Sequence, residues 1–396
     1  MQNERPGVCI IVENLPVPID RRVWQEARTL RDAGYRVSII CPKGSGFQKS
    51  RETLEGIEIY RHWLWEASGP VGYFFEYSWA LTAQFLLSLR AYARTRFRVL
   101  QACNPPDTIF LIGRFYKLFG VRFIFDHHDL NPELYETKFQ RHDFGYKLVC
   151  WAERSTFRTA DVSIATNESY REVALKRGGL PRERTFVVRS CPDLARIRIR
   201  PPQPELKEGR QHLVVYLGVM GHQDGLDLLL ESIAYIKNFR KCEDTLFVLI
   251  GSGPELPRLK ELASQKGLDS LVKFTGRLPD EDVAAYFSTA AFGVAPDRAT
   301  PMNDKSTMNK IMEYMAFGLP VVLYDLREGR RSAGDAGLYA RNDNPEDFAR
   351  KVLTLLDSDS LRAELGARGR KRIEEQLNWD SEKRVFLEAY AATLRR

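Results

Sequence analysis

The sequence predicts an α/β protein of two Rossmann-like domains facing across a cleft, and three observations carry that prediction. Short apolar runs alternate with longer amphipathic stretches from end to end, the pattern of β-α units and parallel sheets. The chain has 396 residues, beyond the size at which a single hydrophobic core usually stops growing. Between the halves, Pro192 to Arg210 is dense in proline and charge and follows neither hydrophobic period, as a linker does.

Strands are expected in the first half at Val8 to Val12, Val37 to Cys41, Ile57 to Trp63, Val99 to Ala102, Val121 to Phe125, Val162 to Ala165 and Phe186 to Arg189. Helices between them include Arg21 to Ala33, Tyr73 to Arg94 and Tyr146 to Thr159. The second half repeats the scheme with strands at Leu213 to Leu217, Thr245 to Ile250, Leu271 to Phe274, Gly293 to Ala295 and Pro320 to Tyr324. The expected domains are therefore 1–205 and 206–376, followed by a last amphipathic helix within 377–396.

Composition excludes several classes. With 44% hydrophobic and 28% charged residues the chain is ordinary globular protein rather than a disordered one. Six cysteines, Cys9, Cys41, Cys103, Cys150, Cys191 and Cys242, form no C-x-x-C pair and read as reduced core thiols of a cytosolic protein. The opening MQNERPGVCIIVEN lacks a charged n-region followed by an apolar h-region, and no window reaches the ~18 apolar residues of a membrane span. A cytoplasmic protein is expected, at most peripheral at the inner face of the plasma membrane. Residues 1–200 hold 31 Lys and Arg against 22 Asp and Glu, whereas residues 201–396 hold 28 against 30. The basic first half suits a membrane surface, a lipid phosphate or a nucleic acid, or is simply a solvated basic surface.

Candidate chemistry concentrates in the second half. Gly218 ends a strand before GHQDG, and Gly251, Ser252 and Gly253 end another before Pro254 opens a helix. Strand-to-helix turns of this kind offer bare N-H groups and a helix dipole to a phosphate, although a glycine there is also an ordinary turn residue. Further on, PMNDKSTMNKIMEYMAFGLPVVLYD reads as a loop, a helix carrying Lys310 and Glu313, a stop at Gly318 and a strand opened by Pro320. Three residues apart, Lys310 and Glu313 share one helical face, as an i,i+3 ion pair or as two halves of a site. A cation beside a carboxylate is what a nucleotide sugar needs, one for pyrophosphate and one for ribose hydroxyls.

The Lys310 to Val322 run resembles the donor-site signature of glycosyltransferase family 4. The resemblance continues through PIDRRVWQEARTLRDAGYRVSIICP, FDHHDLNPELY, ERSTFRTADVSIATNES, LIGSGPELPRL, FTGRLPDEDV and RSAGDAGLYA, in order, over nearly the whole chain. It implies a GT-B fold, retention at the anomeric carbon, and a UDP- or GDP-sugar as donor substrate, without cofactor or metal. Residue by residue it implies that Glu313 holds the ribose, while Lys310 and the backbone around Phe317, Gly318 and Leu319 meet the pyrophosphate. Gly276 and Arg277 would lie beside the base, Gly218, Gly251, Ser252, Gly253 and Asn309 would line the donor pocket, and His128 would face the reacting centre. Asp20, Arg22, His127, Asp129 and Glu133 are expected on the acceptor side, and the last helix is expected to cross back onto the first domain.

The chain departs from the family's commonest pattern at three places. Lys305 stands where a glutamate is common, eight residues before Glu313, and Val219 and Asp224 stand where Arg and Lys are common. The NDKSTMNK run resembles a subset in which Lys310, with Lys305 or Arg298, would supply the missing cations. Two acidic triplets, Asp280 to Asp282 and Asp357 to Asp359, are explained by helix N-termini without a metal. Residues 72–100 interleave aromatic and basic side chains, so Arg90, Arg94, Arg96 and Arg98 either meet anionic lipid headgroups or form the solvated end of a core-facing helix. No nucleic-acid motif accompanies the charge. The expected acceptor is a glycan or lipid-linked intermediate of surface polysaccharide; the rival reading is a non-catalytic nucleotide-sugar-binding subunit.

Overall fold

The computed structural model describes residues 6–44, 46–64, 69–240 and 244–395. It divides into two compact units, Met1–Ser190 with Glu382–Arg396, and Cys191–Ser381.

The first unit runs β1 (Gly7–Ile11), α1 (Arg21–Asp32), β2 (Arg36–Pro42), β3 (Arg51–Leu54), β4 (Ile57–His62), α2 (Gly69–Thr95), β5 (Val99–Cys103) and α3 (Phe110–Lys117). It continues with β6 (Arg122–His127), α4 (Asn131–Phe139), α5 (Phe144–Thr159), β7 (Val162–Ala165), α6 (Glu168–Lys176) and β8 (Thr185–Val187). The strands form one sheet in the order β3-β4-β2-β1-β5-β6-β7-β8. Every pair is parallel except β3 with β4, where an edge strand absent from the sequence prediction turns back. The inner strands are buried over their whole length, because helices cover both faces of a parallel sheet.

The second unit runs β9 (His212–Leu217), α7 (Leu226–Arg240), β10 (Thr245–Ile250), α8 (Leu256–Gln265), β11 (Val272–Gly276), α9 (Asp280–Thr289) and β12 (Phe292–Ala295). Then come α10 (Pro301–Lys305), α11 (Asn309–Ala316), β13 (Val321–Tyr324), α12 (Arg327–Ala333), β14 (Gly337–Ala340), α13 (Pro345–Leu356) and α14 (Asp359–Glu375). Its parallel sheet has the order β11-β10-β9-β12-β13-β14. Helix α15 (Trp379–Leu394) starts in this unit and belongs to the first from Glu382 onward. There Tyr390 is buried, donates to Gln101 Oε1 on β5 and packs edge-on against Tyr35.

The predicted boundary at 205 is corrected to Ser190/Cys191. The proline-rich stretch is not a free linker, because its backbone and its few apolar side chains find partners within the second unit. Arg200 and Gln203 donate from their amides to Ser288 Oγ and Thr289 Oγ1 at 3.0 and 2.9 Å, and Leu194, Ile197 and Leu206 pack on that core. Cys9, Cys41, Cys103 and Cys191 are buried thiols and Cys150 is half-buried, whereas Cys242 lies outside the described residues.

In each sheet the chain leaves one strand in one direction and later resumes beside it in the other, between β1 and β5 and between β9 and β12. The loops after such neighbours diverge, leaving a crevice at the strands' carboxyl ends. In the second unit, glycines let the surrounding loops pack backbone on backbone. Gly251, at φ 138°, would direct a Cβ to 1.8 Å from Gly218 O, and a Cβ on Gly253 would meet the Met220 backbone at 2.5 Å. Gly251→Ala should therefore cost about 3 kcal/mol through overlap and backbone strain, read as a lowered urea midpoint with unchanged slope.

Candidate functional site

In the second unit the crevice between β9 and β12 is occupied by one ammonium group. Lys310, in the first turn of α11, reaches back so that its Nζ lies 2.7 Å from Asp297 Oδ1 and 3.8 Å from Asp224 Oδ1. The same Nζ sits 4.7 Å from the centroid of the Tyr216 ring. Asp297 follows β12, Tyr216 belongs to β9 and Asp224 to the turn after it, so the cluster marks the topological switch point. Burial alone would push the Lys310 pKa down; Asp297 and then Asp224 outweigh it, and the ammonium is held above its ordinary value. Burial raises Asp224 despite Lys310. Gly218 is tightly placed beside this cluster, with the Tyr216 hydroxyl and Lys310 Cε at 2.7 and 3.3 Å from where its Cβ would stand.

Glu313, one turn along α11, is half-buried, and Asn309 is exposed at the helix start. Gly276 closes β11 at φ 72° and Arg277 after it is exposed. Ser252 is half-buried between Gly251 and Gly253. Lys305 lies at the end of α10, whereas Arg298 is committed to Asp227 and to the His222 carbonyl. Arg298, expected to supply a phosphate cation, is thus paired with an acid, as Lys310 is with Asp297.

A second correction concerns Phe317, Gly318 and Leu319. They form the C-terminal end of α11, where the helix dipole repels an anion, and their amides are already used. Phe317 N donates to Tyr314 O, Gly318 N to Met315 O and Leu319 N to Tyr314 O, each at 3.0 Å. The end of α11 suited to a phosphate is the other one, where Lys310 sits. The acidic triplets behave as expected of helix ends: Asp280, Glu281 and Asp282 occupy the first turn of α9, while Asp359 in the first turn of α14 pairs with Arg362.

In the first unit the carboxyl ends of β1, β5 and β6 carry a buried polar network that includes His128. Asp126, without exposure, receives Arg22 Nη2 at Oδ1 (3.0 Å) and Gln101 Nε2 at Oδ2 (2.8 Å), and His128 Nε2 stands 2.9 Å from the same Oδ2. Arg22 also donates to Val188 O at 2.8 Å, and Glu26 stands 3.1 Å from its Nε. Asn104 fixes the loop beyond: its Oδ1 accepts the amides of His128 and Asp129, and its Nδ2 donates to Asp107 and to Asp129 O. Burial would raise Asp126 and lower His128. Arg22 and then His128 hold the carboxylate far below its usual range, and Asp126 holds His128 above its own. Arg22 Nε also donates to His128 Nε2 at 3.0 Å, so guanidinium, carboxylate and imidazole form one network.

Three expected acceptor-side residues have structural roles instead. His127 is fully buried among Phe125, Phe157 and Tyr170, and burial, reinforced by Arg177, pushes its pKa down to about 3, so it is a neutral core histidine. Glu133 is buried and takes both Arg177 Nη atoms at 3.0 Å. Asp20 caps α1 by accepting from Val23 N. Arg22 is present at the site as a support for Asp126, and Asp129 is half-buried with Asn14 hydrogen-bonded to it. Among the described residues, Cys103, Asp126 and His128 are the one trio spaced to hold a metal ion, and the Arg22 guanidinium on Asp126 opposes a second cation there. Sequence reasoning missed Asp126, Asn104 and Asp297. Asp126 belongs to the quoted FDHHDL run; Asn104 and Asp297 are single polar residues just beyond strand ends, where a polar group at a switch point is the available signal.

Comparison with known proteins follows this geometry. Residues 19–191 match the family described as glycosyl transferase 4-like domain, and residues 211–358 the family described as glycosyl transferases group 1. An uncharacterized glycosyltransferase of Methanocaldococcus jannaschii is 25% identical over 178 residues, 44% of this chain and 46% of that protein. A GDP-mannose-dependent phosphatidylinositol monomannoside mannosyltransferase of Mycobacterium tuberculosis is 25% identical over 177 residues, with the same shares of each chain. The chain thus spans about half the length of the curated relatives it matches. Among solved structures, sucrose-phosphate synthase from Thermosynechococcus elongatus superposes with TM-score 0.79 at 18% identity, covering 99% of this chain and 100% of that one. HepE from Anabaena, in complex with UDP and glucose, gives 0.74 at 14%, covering 98% and 100%. The fold is GT-B.

If Asp126 sets the protonation of His128, Asp126→Asn should bring the His128 pKa to or below the ordinary value of about 6.5, as followed by NMR of the imidazole Cε1-H. The sign for stability follows: His128 is raised in the folded state, so its contribution is complete below about pH 6.5 and is lost as pH rises through the folded value. In Asp126→Asn that loss should vanish from the pH dependence of urea unfolding; an unchanged His128 titration would remove Asp126 from this role.

Proposed function

We propose that this glycosyltransferase, built from a 4-like and a group 1 domain in the GT-B, family 4 manner, moves a sugar from a UDP- or GDP-activated donor to a hydroxyl with retention at the anomeric carbon. The observation that carries the reading is the Lys310 ammonium fixed at the switch point of the second sheet, one helical turn from the Glu313 carboxylate. HepE, whose structure holds UDP and glucose, and the mycobacterial GDP-mannose-dependent enzyme support a nucleotide-sugar donor. The diphosphate lies at the N-terminal end of α11 against Lys310, and Glu313 accepts from the ribose hydroxyls.

The chemistry asked of the chain is then chiefly electrostatic. As the glycosidic C-O bond of the donor breaks, negative charge grows on the departing diphosphate, and a preorganised ammonium and helix dipole stabilise it. The leaving phosphate takes the acceptor's proton, so no protein nucleophile is needed. His128, with its Nε2 engaged by Asp126, presents the rest of its ring to the sugar. The acceptor is a glycan or lipid-linked intermediate, and the basic first unit contacts an anionic membrane.

A panel of UDP- and GDP-sugars with lipid-linked acceptors, read by mass spectrometry, tests the reading; tight nucleotide binding without transfer would favour a non-catalytic subunit. Glu313→Gln should weaken free UDP or GDP by about tenfold, the loss of one charge-assisted hydrogen bond, and an unchanged Kd would take Glu313 out of the ribose role. Removing Lys310 by itself would strand Asp297 without its cation, so Lys310→Ala is assayed together with Asp297→Asn. That pair should lower turnover by about 10²-fold or more with folding retained, whereas near-normal rates would move the role to Lys305.

A further inference from the structure

Helix α2 packs on its sheet through a narrow stripe flanked by Leu81, Phe85, Leu87 and Tyr92, and keeps further large apolar side chains on its outer side. Its buried stripe is small and polar, Ala80, Gln84, Ser88, Ala91 and Thr95, with Gln84 donating to Glu13 and Ser88 accepting from Tyr116. Its outer side carries Phe75, Trp79, Leu86 and Leu89, all exposed. An amphipathic helix between a core and water keeps such side chains off its outer face. The apolar surface does not stop there. Phe85 on α2 packs edge-on against Phe115 on α3 at 4.9 Å, and Phe110 on α3 against Trp151 on α5 at 5.4 Å, so the three helices lie side by side. Leu111, Leu118 and Phe119 are exposed on and just after α3, with Leu118 at 82%, and Phe144, Leu148 and Trp151 on α5, with Phe144 at 80%.

The exposed positions of α5 continue at helical spacing into charge: Lys147, Arg154 and Arg158 make no salt bridge among the described residues. At the C-terminal end of α5 the last two join Lys176 and Arg177 from the end of α6, with Gly178 and Gly179, in lining an open cavity of about 700 Å³. Every lining residue with a side chain is a cation. Arg177 is held by Glu133 and Glu153 and Lys176 lies 3.3 Å from Glu172, which leaves Arg154 and Arg158 as the uncommitted charges. Because α5 leads directly into β7, this cavity lies at the amino-terminal edge of the sheet, the edge opposite His128.

We propose that the outer surface of α2, α3 and α5 is the face by which the protein docks on an anionic lipid bilayer, with the Arg154–Arg158–Lys176 cavity taking headgroup phosphates. A large exposed apolar patch marks an interaction surface, and one flanked by unmatched cations and bearing tryptophan and phenylalanine complements an interface of acyl chains beneath phosphates. This rests on the reading of the acceptor as membrane-borne. It replaces the arginine-rich end of α2 with α5 and its cavity as the principal lipid contact.

The test is sedimentation of the full chain with vesicles of phosphatidylcholine alone and with about one third phosphatidylglycerol, at low and high salt. Wild type should bind the anionic vesicles, lose them in high salt, and ignore the neutral ones. Arg154→Glu with Arg158→Glu should weaken binding at low salt by about tenfold or more, and Phe144→Ser with Leu148→Ser should weaken it there as well. Both pairs are exposed, and the melting temperature and UDP or GDP affinity should hold. Arginine reversals that bind like wild type would overturn the proposal, as would loss of binding only in Arg90→Glu with Arg94→Glu. Vesicle binding without sugar transfer leaves this surface standing and removes the transferase reading; transfer to a soluble acceptor without vesicle binding does the reverse.

Discussion

The first unit depends on one ion pair in a place where ions are expensive. Asp126 and Arg22 are both buried, and the desolvation of each costs several kcal/mol that only close, well-hydrogen-bonded partners offset. Around that pair the structure brings α1 by Arg22 and Glu26, β5 by Gln101, β6 by Asp126, the segment after β8 by Val188, and α15 by Tyr390. Four elements distant in sequence converge, directly or through Arg22 and Gln101, on the carboxylate that β6 carries, and the loop bearing His128 leaves from the same point. A histidine held in this way has little orientational freedom.

The second unit repeats the logic with the signs exchanged. There the central group is a cation, Lys310, and the carboxylates of Asp297 and Asp224 come to it from the loops after β12 and β9. Asp224, which stands where the family commonly has a lysine, is thereby drawn to the same ammonium as Asp297. Lys310 itself sits in the first turn of α11.

Most of the architecture was legible because parallel sheets write themselves as apolar runs. GVCII, TLFVLI and VVLY are buried along their whole length, and each lay inside or beside a predicted strand. Edge strand β3, of sequence RETL, was not, since it is half-solvated and carries no apolar signal. The boundary was misplaced for a related reason: the proline-rich stretch satisfies its amides with Ser288 and Thr289 about ninety residues away, a contact that no local period encodes. At the site, residue type and helical spacing located Lys310 and Glu313, but not what faces them. Asp297, 13 positions before Lys310, becomes its partner only once β12 lies beside β9.

The adjacent histidines show where reading along the chain reaches its limit. His127 and His128 share a sequence neighbourhood, yet the last residue of β6 turns its ring inward among aromatics and the next faces the polar network. Strand alternation decides this, since successive side chains point to opposite faces. On one face His127 is driven neutral by burial; on the other Asp126 raises the pKa of His128 above its ordinary value. Two identical side chains one residue apart are thus shifted in opposite directions, and the alternation of the strand explains why only one of them meets the carboxylate.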